Sequence, residues 1–151
     1  IEFRHPIKYF SWVVVNEGDE GNNSGQGPCY FVSLCNNSLY KHDGNNGSLI
    51  LRLNSLDVVG LPMYFFTRTI PNMYCNNIPE LDRIGLYSFA LKPFELEPTG
   101  SINFSRIKSK QMFLSIGNNN IENLKDKKLF LFGVNYNVLK ISKGTASVLF
   151  T

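Results

Sequence analysis

A catalytic or metal site in this chain would have to be built from two histidines, three cysteines and twelve carboxylates. The histidines, His5 and His42, do not lie near a Cys, Asp or Glu at the short spacings that protein metal sites use. His42-Asp43 is an adjacent pair in an Asn/Gly-rich stretch and reads as a solvated turn rather than a dyad. Asp19-Glu20 and Glu95/Glu97 are the carboxylate pairs that could act as general acid and base. The first pair sits in a Gly/Asn loop, where neighbouring residues cannot hold a fixed separation. The second could share one face of an extended segment, but it lies between Pro93 and Pro98 with no nucleophile in view. No Gly-x-Ser-x-Gly elbow, phosphate-binding loop or His-Glu-x-x-His motif occurs. The glycine-rich stretch 18–27 carries Asp19 and Glu20, which oppose a phosphate. The residues therefore predict no catalytic site, no metal and no cofactor.

Cys29, Cys35 and Cys75 are an odd number. Cys29 and Cys35 could pair across a hairpin, but a disulfide framework belongs to a secretory context. The opening Ile1-Glu2-Phe3-Arg4-His5-Pro6 has no apolar signal core, and no apolar run approaches a membrane span. The expectation is an intracellular chain with free, mostly buried thiols. Ile1 in place of an initiator Met adds the expectation of a fragment, a processed product or the ordered part of something longer. Asn-x-Ser sequons at Asn22, Asn36, Asn46 and Asn103 are attributed to the abundance of Asn rather than to sugar attachment.

The elements that would position any site are strands. A chain of 151 residues with 43% apolar and 13% aromatic side chains can build one core and bury roughly 70% of its unfolded surface. Short β-branched and aromatic runs alternate with turn clusters, the pattern of an all-β sandwich. The candidate strands are Ile7–Val15, Tyr30–Leu34, Leu49–Leu53, Met63–Thr67, Leu86–Leu91, Ser101–Phe104, Met112–Ile116, Leu129–Val134, Asn137–Ile141 and Thr145–Phe150. In Leu49–Leu53 the odd positions are apolar and Arg52 points the other way; Tyr87, Phe89 and Leu91 share one predicted face, with Ser88 and Ala90 on the other. Glu17–Pro28 and Asn36–Gly47 read as loops, the latter closing on an Asn-Gly step that favours a primed turn. Pro93 and Pro98 must interrupt any ladder between them. Only Ile121–Lys128 suits a helix, of a turn or two.

The net charge of +3 is too small to argue for nucleic acid. Its distribution is uneven: residues 1–100 carry seven basic and ten acidic side chains, residues 101–151 eight and two. A basic C-terminal third could face DNA or an anionic membrane. Without an aromatic ladder or an arginine cluster it is read as a solvated lysine face, and no specific nucleic-acid binding is predicted.

One stretch is distinctive. Tyr87-Ser88-Phe89-Ala90-Leu91-Lys92-Pro93, then Glu95, then Pro98-Thr99-Gly100 and Asn103-Phe104-Ser105-Arg106 resembles a signature of the major capsid proteins of nucleocytoplasmic large DNA viruses. His5-Pro6-Ile7-Lys8 with Trp12-Val13-Val14 is similar to an early strand of that family, and Asn135-Tyr136-Asn137-Val138-Leu139-Lys140-Ile141 with Gly144 to its closing segment. The blocks fall in the family's order and reach both ends of the chain. Thr99 stands where the family usually has Ser, Lys108 where Asp commonly follows, and Phe94 interrupts an acidic run. Local chemistry suits a structural role for the motif. Pro98-Thr99-Gly100 is suited to a tight turn feeding a strand at Ser101. Asn103 and Ser105 can satisfy backbone groups, Phe104 can anchor the core, and Arg106 can bridge a junction or stand as an exposed charge.

The resemblance implies an antiparallel jelly-roll sandwich, the C-terminal half of a double jelly-roll capsid protein, with residues 1–151 forming that domain and lacking its first strands. It implies a non-enzymatic structural role in an icosahedral shell. The implied partners are further copies in homotrimeric capsomers, the missing N-terminal jelly roll, neighbouring capsomers and minor capsid proteins, near an inner viral membrane. The implied location is the virion, assembled in the host cytoplasm, with the sandwich walls packing laterally and the Asn/Gly loops at a rim. The structural or assembly residues are then Pro98, Thr99, Gly100, Asn103, Phe104, Ser105, Arg106, Asn135, Tyr136 and Asn137. Two alternatives are a scaffold or minor shell protein on the same fold, and a carbohydrate-binding jelly roll, which would need an exposed aromatic platform where Trp12 instead reads as core.

Overall fold

The computed structural model describes residues 1–16, 47–75, 84–115 and 127–149. The candidate strand Tyr30–Leu34, Cys29, Cys35, His42-Asp43, Asp19-Glu20, the loop Glu17–Pro28, nearly all of the loop Asn36–Gly47 and the sequons at Asn22, Asn36 and Asn46 lie outside the described residues.

Strand β1 (Pro6–Asn16) is the organiser of the first sheet. It pairs antiparallel along one edge with β7 (Lys127–Asn135), and along the other with β4 (Ile84–Ser88) and β5 (Ile102–Asn103). A register shift between Ile7 and Tyr9 marks a bulge at Lys8. One extra residue reverses the alternation, so Ile7 joins Phe10 and Trp12 in the core although an odd number of positions separates it from them.

The second sheet orders β3 (Leu56–Pro62), β2 (Ser48–Leu53) and β6 (Lys110–Ser115), all antiparallel. In β2 every second residue is buried, so Leu49, Leu51 and Leu53 face inward while Arg52 faces outward, as the alternation predicts. The two inner faces meet in one core of Ile7, Phe10 and Trp12 from the first sheet, the three β2 leucines, and Met63, Phe66 and Phe104. Fully burying each large apolar side chain is worth roughly 1.5–3 kcal/mol. The remaining strands, β8 (Leu139–Ser142) and β9 (Thr145–Val148), form a separate hairpin.

Several expectations are corrected. Met63–Thr67 is not a strand: a π-helical turn, Phe65–Thr69, runs directly into α1 (Ile70–Tyr74). The buried residues there are Met63, Phe66, Thr67 and Pro71, a helical rather than a two-residue spacing. Pro71 has no N–H to give, and just ahead of it the Ile70 N–H reaches back five residues to the Phe65 carbonyl, as in a π-bulge. β3 was absent from the predicted strands. It follows β2 through the two-residue turn Asn54-Ser55, both at positive φ, which is the primed geometry. Of the candidate helix Ile121–Lys128, Lys127 and Lys128 are strand, and residues 121–126 lie outside the described residues. β4 stops at Ser88, so Tyr87, Phe89 and Leu91 do not share a strand face: Ala90 is buried while Leu91 is 81% exposed. Cys75 is a free thiol and half-buried rather than buried.

Candidate functional site

The sequence motif maps onto the connection between β4 and β5, residues 89–101, which contains no strand but is pinned along its length. The Ser88 hydroxyl accepts from the Ala90 N–H at 3.0 Å and donates to the Ala90 carbonyl at 2.7 Å. The Thr99 hydroxyl spans the loop, accepting from the Lys92 N–H at 2.9 Å and donating to the Lys92 carbonyl at 3.3 Å. Pro93 is buried, and Phe94 packs on Tyr9 with ring centroids 5.5 Å apart. Gly100 has φ +145°, and a Cβ there would stand 2.9 Å from the Phe89 carbonyl oxygen. Both backbone conformation and space therefore exclude a side chain at this position.

A predicted feature is displaced. Pro98-Thr99-Gly100 does not form the tight turn; the turn lies at Pro93-Phe94. Thr99 is engaged in the clasp to Lys92, and Gly100 uses its permissive backbone to pass Phe89. The second half of the motif behaves as its chemistry predicts. The Asn103 side-chain oxygen accepts from the Ser105 N–H at 3.0 Å, capping the 3₁₀ turn Phe104–Arg106. The Ser105 hydroxyl accepts from the His5 N–H at 3.0 Å, and the Phe104 N–H donates to the His5 carbonyl at 3.1 Å. Phe104 is fully buried and meets Phe10 and Phe89 edge-on at 5.2 and 5.8 Å. Arg106 is exposed and makes no ion pair among the described residues.

The closing block reaches the same place. Asn135 pairs with Ile7 at the end of β7, the Tyr136 N–H donates to the Pro6 carbonyl at 3.0 Å, and Asn137 accepts from the Val138 N–H at 2.8 Å. The residue that joins all three blocks is Lys8. Only 7% exposed, it donates from Nζ to the Glu95 carbonyl and lies 5.2 Å from the centre of the Tyr136 ring. A carbonyl and an aromatic face together offset part of the cost of taking an ammonium out of water. No pattern in the sequence singled Lys8 out; the signal that could have done so is a lone Lys within an apolar strand, Ile7 to Val15.

Gly85 was also missed. It faces Trp12 across the β1–β4 pair, and a Cβ there would fall inside the indole ring. Trp12 itself is fully buried, which removes it as a sugar-binding platform. Glu95 and Glu97 are both exposed, and Glu95 pairs with Lys92 at 2.9 Å. Among the described residues no group of three or more His, Cys, Asp or Glu could hold a metal ion, and no helix is long and apolar enough to cross a membrane.

Comparison with known proteins gives this arrangement its context. The family model described as "Large eukaryotic DNA virus major capsid protein" matches residues 1–147. A major capsid protein of Pyramimonas orientalis virus is 36% identical over 176 aligned residues, covering 100% of this chain and 38% of the relative. The major capsid protein of Paramecium bursaria Chlorella virus 1 is 27% identical over 183, covering 99% and 42%. Among solved structures, PBCV-1 VP54, fitted into a reconstruction of the virophage Sputnik, superposes with a TM-score of 0.72 at 21% identity, covering 100% of this chain and 45% of that one. The chain thus spans less than half the length of the curated relatives it matches. Its fold is the antiparallel jelly-roll sandwich of viral capsid proteins. From its first strand almost to its last residue, the chain belongs to the family of large eukaryotic DNA virus major capsid proteins.

Proposed function

We propose that this chain is the C-terminal jelly roll of a major capsid protein and that it builds the icosahedral shell of a large DNA virus as part of a trimeric capsomer. The observation that carries the reading is the family match over residues 1–147. The convergence of the three sequence blocks on Lys8 supports it, because Lys8, Thr99, Asn103, Phe104 and Ser105 all serve to fix the body of a β-sandwich. The work of such a protein is mechanical: it holds a shape and presents surfaces to its neighbours, with no bond made or broken.

The partners in this reading are a preceding jelly roll of the same polypeptide, two further copies in the capsomer, and adjacent capsomers and minor capsid proteins, close to an inner viral membrane. Its location is the virion, following assembly in the host cytoplasm. Residues 98–106 and 135–137 act in assembly, most of them by fastening the β4–β5 connection and the end of β7 to the start of β1.

Quantitative mass spectrometry of purified virions tests the reading. The expected result is that peptides of this chain rank among the most abundant in the particle. Peptides plentiful in infected cells but absent from virions would make it a scaffold, and a few copies per particle a minor shell protein.

A further inference from the structure

The β8–β9 hairpin stands out as an arm. From Asn137 to Leu149 every residue is exposed. Its register pairs Leu139 with Val148 and Ile141 with Ala146, and places Lys140 opposite Ser147 and Ser142 opposite Thr145. Side chains alternate between faces along a strand, so one face of the arm is apolar and the other polar. Leu139, Ile141 and Val148 are 62%, 72% and 48% exposed. A two-stranded hairpin is marginal in water by itself, and one with an uncovered apolar face requires a partner.

The β4–β5 connection offers the complementary surface. Leu96 is 99% exposed, and Leu91 and Phe94 are 81% and 50% exposed. The backbone beneath them is nevertheless fixed by the Thr99 clasp and by Lys8. Apolar side chains on a preorganised support lose little freedom when they bind. Charge agrees as well: in the tip Lys92 and Glu95 pair with each other and leave Glu97, and the arm carries Lys140 and Lys143 with no carboxylate.

We propose that the apolar face of the β8–β9 arm of one copy docks on the Leu91–Glu97 tip of a neighbouring copy, with Lys143, in the arm's turn, at the rim beside Glu97. This contact rests on the reading of the chain as a shell protein, and it adds which surfaces meet. It is heterologous, since each copy gives an arm and receives one at a different patch; repeated contacts of this kind close a ring when the rotation permits.

The test uses the full-length protein carrying either Leu96→Cys or Ile141→Cys, assembled separately and as a mixture, then mildly oxidised. The unsubstituted protein, with its native cysteines, sets the background. The expected result is a covalent dimer in the mixture and none above background in either variant alone. Cross-linking of the Leu96→Cys chain to itself or to a different protein overturns the contact. So does a mixture without dimers whose assemblies look normal in electron micrographs. An unsubstituted protein that never assembles overturns the capsid reading and this contact with it. As a second variant, Leu96→Glu should lower assembly yield at least tenfold while leaving the thermal midpoint of the unassembled protein unchanged; undiminished assembly overturns the contact.

Discussion

Phe104 and Gly100 hold the motif in place by opposite means, one by filling space and the other by leaving it open. Truncating Phe104 removes a fully buried ring from the junction of the two sheets. Phe104→Ala should therefore cost roughly 3–5 kcal/mol in chemical denaturation, the range for large aromatic deletions in cores. Gly100→Ala imposes a side chain on positive φ against the Phe89 carbonyl, with an expected loss of about 1–3 kcal/mol. Asp57 carries a perturbed carboxyl, which the Arg52 guanidinium holds below its ordinary value by hydrogen bonding, with Nη2 at 3.0 Å from Oδ2. A carboxylate with a depressed folded pKa contributes stability above its unfolded value of about 3.9, and that contribution is lost as the pH falls through the folded value. Both partners are exposed, so the effect is small and salt-sensitive. Asp57→Asn should flatten this shallow acid limb below about pH 4 in denaturation curves while leaving neutral stability nearly unchanged. At this scale Phe104, Asn103 and Ser105 were legible, because an aromatic in an apolar run and small polar residues at a strand end have few roles open to them. Lys8 was not legible, since burial of a lysine depends on a carbonyl 87 residues away.

Among the elements, β2 and β7 were read correctly, whereas the alternation of Tyr87, Phe89 and Leu91 ran past the end of β4 and the segments with special backbone were missed. Leu49–Leu53 and Leu129–Val134 announce themselves by side-chain type. β3 escaped because Asp57, Gly60 and Pro62 weaken its pattern and Asn54-Ser55 lacks the glycine that marks most primed turns. Ser55 sits at φ 68°. Ser55→Gly should relieve that strain and raise stability by up to about 1 kcal/mol, measured by denaturant titration; a loss would show that the turn does not have this geometry in solution. Met63–Thr67 was misread because Tyr64, Phe65 and Phe66 favour strands by type, whereas the packing of Met63, Phe66 and Pro71 on one face decides for a helix. The β4–β5 connection carries its own prediction. Lys8→Met removes the only side-chain donor to the Glu95 carbonyl among the described residues, so amides near the tip should exchange faster with deuterium while those of β1 and β7 keep their protection. Unchanged exchange at the tip would mean that Thr99 alone holds it.

For the molecule as a whole, the class of fold followed from the alternation of strands and turns, and the family from three short blocks in order. What composition could not show was the division of labour between surfaces: a two-sheet body closed around an aromatic core, a pinned tip bearing Leu91, Phe94 and Leu96, and an amphipathic arm whose residues are all exposed. These follow from register and burial, which depend on contacts far apart in sequence. Together they describe a part made to be covered by other parts. The most direct measurement of that claim is an electron cryomicroscopy reconstruction of the virus particle at a resolution where side chains can be traced. The account requires this sequence to fit the repeating tiles of the shell, with the β8–β9 arm covered by a neighbouring copy. A shell traced to a different polypeptide, or tiles in which the arm lies bare in solvent, would contradict it.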